Sequence, residues 1–203
     1  IFVYRAFSIV KGNTSFIRVL AISDCLDDEI VTMTFPGHSS NLSPKPIDEE
    51  CPMKRAPTCK FTSGALESRP DEIVLKWRDR SITVPVYRPP ARKEKLEVCI
   101  APVFWYNDRP RLVMFFELWK REKAKITIYV NSVSLNVKKV LDFYAKQLDV
   151  ELREWPALPL LRNIDPNNST YRLSQLLSAN DCALRSNSMF VSNTDIDELL
   201  LIK

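Results

Sequence analysis

Glycine is scarce in this sequence. Gly12, Gly37 and Gly64 are the three in 203 residues, and the remaining two-thirds of the chain has none. A Walker loop and a dinucleotide fingerprint both use glycines to bring backbone close to phosphate, so neither is present. Any phosphate bound here must be held by a metal or by side chains. Histidine is scarcer still, His38 standing alone in a Pro/Ser-rich stretch. A Ser-His-Asp triad needs histidine as its base, and catalytic zinc usually takes more than one; His38 reads as a surface-loop residue. The five cysteines, Cys25, Cys51, Cys59, Cys99 and Cys182, show no paired CxxC spacing, which argues against structural zinc. No run of about 18 apolar residues occurs, so nothing in these residues reads as a membrane-spanning helix. The net charge is +4, with basic residues scattered among acids. The nearest basic run, Arg88-Pro89-Pro90-Ala91-Arg92-Lys93-Glu94-Lys95, reads as a linker rather than a nucleic-acid stripe.

What remains is an ordinary globular composition, 45% apolar and 27% charged, long enough for one good-sized domain or a domain with a small partner. Residues 1–92 read as a β-rich region. Short β-branched or aromatic runs at 2–10, 15–22, 29–34, 72–77 and 82–87 alternate apolar with polar positions, as half-buried strands do. The stretch 35–58 reads as irregular. From 93 to 203 the rhythm becomes strand, helix, strand, helix. Strands are expected at 96–105, 125–130, 150–155 and 189–193. One helix is capped by Asp108, tolerates Pro110 in its first turn, and aligns Leu112, Phe115, Phe116 and Trp119. A second aligns Val133, Val137, Val140, Leu141, Tyr144 and Leu148, and a third carries Leu173, Leu176, Leu177 and Leu184. Alternation of this kind predicts an α/β fold with a mainly parallel sheet, because each parallel neighbour needs a crossover. Ligands of such sheets bind beyond the carboxyl ends of the strands.

The last expected strand delivers Thr194, Asp195, Ile196, Asp197 and Glu198. In extended backbone, Asp195 and Asp197 point the same way and Ile196 turns to the core. Two hard oxygen ligands suit Mn²⁺ or Mg²⁺, and a metal so held can neutralise a diphosphate leaving group. With thirteen aspartates in the chain, roughly one Asp-x-Asp triplet arises by chance. The position after an apolar strand is what singles this one out, since unpaired carboxylates there are costly.

The residues from about 98 to 199 also carry an ordered series of motifs. They are Val98-Cys99-Ile100-Ala101-Pro102, Phe116-Glu117-Leu118-Trp119, Ile128-Tyr129-Val130-Asn131-Ser132 and Val140-Leu141-Asp142-Phe143-Tyr144. After these come Glu154-Trp155-Pro156, Gln175 with Asn180-Asp181-Cys182, and Asp195-Ile196-Asp197-Glu198. In this series the chain resembles glycosyltransferase family 92. The resemblance implies a GT-A-type enzyme that transfers galactose from UDP-galactose to a glycan acceptor, with inversion and with Mn²⁺. It places the metal on Asp195 and Asp197, and nucleotide-facing loops on Ala101, Pro102, Val103 and Phe104 and on Asn131 and Ser132. Arg172 and Gln175 lie one turn apart on the third helix and are read as donor contacts, Arg172 for phosphate. Asp181 is read as meeting a sugar hydroxyl, and Glu198 as a further partner of the metal. The alternative is an inactive relative acting as a glycan-binding or interaction protein.

Where family members often have a Gly-Ala pair after the first helix, this chain has Arg121-Glu122-Lys123-Ala124. Lys203 lies six residues past Asp197, and by the resemblance the acceptor part and the catalytic base are expected beyond it; the sequence reads either as a fragment of a longer protein or as a degenerate copy. Ile1 in place of Met implies an upstream segment, either a signal peptide or a membrane anchor. Sequons at Asn13, Asn41, Asn167 and Asn168, with the cysteines and the resemblance, point to the secretory route and the lumenal side of the Golgi membrane. Cys99 in the first α/β strand and Cys182 in the third helix are a candidate disulfide. Cys51 and Cys59 are a second candidate, leaving Cys25 over. The competing reading makes Cys99 and Cys182 small buried apolar residues.

Overall fold

A computed structural model describes residues 1–23, 30–47, 58–160, 165–170 and 174–198. The chain is mixed α/β and divides into two units. One comprises Ile1–Pro89 and Asn168–Leu184, the other Pro90–Asn167 and Arg185–Lys203. The sequence places the division three residues later and assigns all that follows to the second domain. By its contacts, however, Asn168–Leu184 groups with the first unit.

The first unit contains strands β1 (Phe2–Lys11), β2 (Thr14–Ile22), β3 (Val31–Phe35), β4 (His38–Leu42), β5 (Lys45–Pro46), β6 (Thr58–Thr62), β7 (Glu72–Trp77) and β8 (Arg80–Tyr87). They form one sheet in the order β4-β3-β7-β8-β1-β2-β6-β5, antiparallel except for β1 with β8. Alternating side chains such as Ile17, Val19, Ala21, Ile73 and Leu75 build its apolar core. Part of the stretch read as irregular is therefore strand. β3 and β4 form a hairpin closed by Pro36 and Gly37, with Phe35 paired to His38 and Gly37 at φ 78°, a value glycine adopts without steric cost. His38 stacks on Phe35 with ring centroids 4.7 Å apart, so the lone histidine is packed into a hairpin.

The second unit holds β9 (Lys93–Val103), helix α1 (Arg109–Arg121), β10 (Lys125–Val130), helix α2 (Leu135–Gln147), β11 (Val150–Glu154) and β12 (Ser188–Thr194). Helix α3 (Gln175–Arg185) precedes β12, and all but its last residue belongs to the first unit. The four strands form a parallel sheet in the order β11-β10-β9-β12. Val98, Ile100, Ile126 and Ile128 point to one face and pack with Leu112, Phe115, Phe116 and Trp119 of α1 and Val137, Leu141 and Tyr144 of α2. Helix α1 thus buries the residues that its periodicity selects; of those read for the second helix, α2 buries Val137, Leu141 and Tyr144, Val140 is partly buried, and Val133 and Leu148 fall outside the helix. Phe116 stacks on Tyr144 at 4.4 Å.

The opposite parity of the same strands carries polar groups. Glu97, fully buried, accepts hydrogen bonds from Thr127 and Ser186, each at 2.6 Å. Lys125 Nζ lies 3.3 Å from Glu97 and 3.0 Å from Glu151. Arg153 donates to Glu151 at 2.8 Å and to the Tyr129 hydroxyl at 2.8 Å. Buried charge of this kind is tolerated only when paired and hydrogen-bonded. The Glu151 carboxyl is raised by burial, but Arg153 and Lys125 outweigh that and hold it down at about 2.

Cys99 and Cys182 are each disulfide-bonded. Cys59 is a buried thiol outside any disulfide, its pKa raised by burial, which removes the Cys51–Cys59 pairing. Cys25 and Cys51 lie outside the described residues.

Candidate functional site

In a parallel sheet the strand ends that follow β9 and β12 lie side by side. Thr194, the last residue of β12, is in register with Ile100 of β9, and β9 runs on to Val103. Near that end β9 is irregular. Ile128 pairs with Ile100 but Val130 pairs with Val103, so β9 fits one extra residue where Ala101 and Pro102 stand. Pro102 has no N–H to give to a ladder, which explains a bulge in the middle of a sheet.

A cleft of about 310 Å³ opens here, lined by Ile100, Ala101, Pro102, Val103, Tyr106, Arg111, Asp195, Ile196 and Asp197. Both aspartates of the triplet line it, and the local geometry differs from the extended segment expected. Residues 196 and 197 form a turn, closed by a hydrogen bond from Glu198 N to Asp195 O at 3.1 Å. Glu198 reaches back so that its carboxylate accepts from Asp195 N at 3.2 Å and from the Thr194 hydroxyl at 3.3 Å. Ile196, 8% exposed, anchors the turn in the apolar cluster beneath α1.

Like charges accumulate in the cleft. The Asp195 carboxyl is raised by burial and by the negative charge of Glu198 and Asp197. The Tyr106 hydroxyl is raised by burial and by Asp108 and Asp197, with Arg111 opposing. Its oxygen is buried and has no hydrogen-bond partner among the described residues. Arg111, which the sequence reading did not single out, supplies positive charge. Its Nη1 lies 3.5 Å from Asp197 and its Nε 3.2 Å from Asp108. Asp108 caps α1 by accepting from Arg111 N at 3.1 Å, so the expected cap also aims an arginine. The spacing of Asp108 and Arg111 at a helix start beside a strand end was the available signal.

The other expected site residues are placed as follows. Phe104 follows β9 and is not among the residues that line the cleft. Asn131 and Ser132, expected to face nucleotide, are engaged in holding backbone. Asn131 donates to Trp155 O at 2.8 Å, and the Ser132 hydroxyl accepts from Trp105 N at 2.8 Å. Trp105 has φ 47° and is 81% exposed, a left-handed conformation that a bulky residue keeps only when its surroundings fix it. Gln175 and Asp181 lie in the first unit. Asp181, expected to meet a sugar hydroxyl, is fully buried with Arg5 Nε 3.1 Å from its carboxylate. Arg172 lies outside the described residues.

Comparison with known proteins identifies a family over the stretch that contains this α/β unit. The model of glycosyltransferase family 92 matches residues 94–203, more than half of the chain, and the chain belongs to that family. A glycosyltransferase family 92 protein of Caenorhabditis elegans is 26% identical over an alignment of 110 residues that covers 51% of this chain and 22% of that protein. The chain therefore spans about a fifth of that relative's length. No solved structure matches it.

Proposed function

We propose that residues 90–203 form the donor-binding part of a GT-A-type glycosyltransferase that holds a UDP-sugar, UDP-galactose by family resemblance, for transfer to a glycan acceptor. The observation that carries this reading is the pair Asp195 and Asp197 in a cleft at the carboxyl ends of β9 and β12, within a chain of glycosyltransferase family 92. Such ends are where open α/β sheets bind their ligands.

The residues fit a divalent cation. Asp195 and Asp197 offer hard oxygens to the same cleft, and a cation between them would offset both the burial and the like charge that raise Asp195. Mn²⁺ held there would supply charge neutralisation for a diphosphate leaving group. The chain's own residues contribute position. Ile196 pins the turn in the apolar cluster, Glu198 closes it, and the β9 bulge at Ala101 and Pro102 forms part of the lining. The unpartnered Tyr106 hydroxyl is available to a bound oxygen acceptor. Exposed sequon asparagines Asn13 and Asn41 and the disulfide-bonded Cys99 and Cys182 support a secretory compartment, the Golgi lumen.

Calorimetry with UDP tests the site. UDP binding is expected to require Mn²⁺ and to vanish in Asp197→Ala. Equal binding in the presence of a chelator would refute it.

A further inference from the structure

Arg111 is the cation that faces the acidic pair in the cleft wall, and its two ion pairs are unequal. Nε stays 3.2 Å from Asp108 within one helix turn, and the same residue's N–H is bonded to the other Asp108 oxygen at 3.1 Å. Nη1 reaches across from α1 to the turn after β12, 3.5 Å from Asp197. Both side chains of that longer contact are about half exposed, 48% for Arg111 and 60% for Asp197, so it is the weaker of the two. A guanidinium held at Nε by Asp108 keeps its outer N–H groups in a fork that fits phosphate oxygens.

We propose that Arg111 is the resident counter-ion of Asp197, yields that carboxylate to a divalent cation, and then becomes the side-chain ligand for the diphosphate of the donor. The inference rests on the metal reading of Asp195 and Asp197 and adds an order of events to it. It also suits the sequence, since a chain without a glycine-rich loop has to hold phosphate with a metal or with side chains. Arg111 is a binding and positioning residue here, and its two roles have opposite signs for the two ligands. It competes with the metal and assists the nucleotide.

That sign difference is the test. Mn²⁺ binding, read from the loss of the free-ion signal in electron paramagnetic resonance, and UDP binding at saturating Mn²⁺, read by calorimetry, are measured on the wild-type chain, Arg111→Gln, Arg111→Lys and Asp197→Ala. Arg111→Gln should bind Mn²⁺ alone two- to five-fold more tightly, as expected for loss of an exposed competing pair. The same variant should bind UDP at least ten-fold more weakly, as expected for a lost charge-assisted hydrogen bond. Arg111→Lys, which keeps the charge without the fork, should leave Mn²⁺ affinity near wild type and recover part of the UDP affinity. A variant that weakens both ligands together shows a merely structural arginine and overturns the proposal, as does unchanged affinity for either ligand. The metal reading fails separately, through Mn²⁺ binding that is indifferent to Asp197→Ala.

Discussion

The charged face of the parallel sheet makes a quantitative prediction about acid stability. Glu151 sits between Arg153, 8% exposed, and Lys125, 13% exposed, and its carboxyl is held down from 4.5 to about 2. At about 1.4 kcal/mol per pKa unit, that difference caps its contribution at roughly 3.4 kcal/mol. The Glu151 side chain is 35% exposed, so solvent screens the pair and about 1–2 kcal/mol is the realistic figure. Because the folded-state pKa is depressed, this stabilisation is fully present above about pH 4.5 and is lost as the pH falls toward 2. The perturbation is Glu151→Gln. The assay is urea unfolding followed by tryptophan fluorescence in a Trp77→Phe background, which leaves Trp105, Trp119 and Trp155, all in the second unit. Glu151→Gln should be less stable by about 1–2 kcal/mol at pH 7, and the gap should close between pH 4.5 and 2. A gap that persists unchanged at pH 2, or no gap at pH 7, would refute the reasoning.

Two further outcomes follow from the described geometry. Ser132→Ala removes the acceptor for Trp105 N; it should cost about 0.5–1 kcal/mol and speed amide exchange at residues 104–107 while leaving β11 unaffected, and equal exchange in the loop would contradict the role given to Ser132. Alkylation without reductant should leave the buried, high-pKa Cys59 thiol unmodified in the folded chain and label it in urea, whereas Cys99 and Cys182 should label only after reduction; labelling of either in urea alone would show that it is not in a disulfide.

The parts of the fold legible in the sequence are those where one side-chain period dominates. In α1 the buried set Leu112, Phe115, Phe116 and Trp119 is the set read from spacing, and its cap is Asp108. The strands at 125–130 and 72–77 fall on the expected residues. β4 was not legible, because His38, Ser39, Ser40 and Asn41 carry no apolar alternation and the strand is defined by its pairing to β3. The acidic pair was legible as a pair but not as a turn, because the turn depends on Glu198 folding back onto Asp195 N. Asn131 and Ser132 were visible as residues at a strand end. Their engagement with the backbone of Trp155 and Trp105 depends on partners 24 and 27 residues away, which no local pattern reports. Asp181 illustrates the same limit, since a carboxylate on a helix reads alike whether it faces solvent or is buried beside a partly exposed arginine such as Arg5.

The proposed function has Asp195 and Asp197 share one divalent cation with a nucleotide diphosphate. Crystals of the chain grown with Mn²⁺ and UDP, measured at the manganese absorption edge, test this. One anomalous peak is expected in the cleft, within coordination distance of both carboxylates and of the diphosphate oxygens. UDP bound with no peak between those two aspartates, or a peak held by other residues, would contradict it.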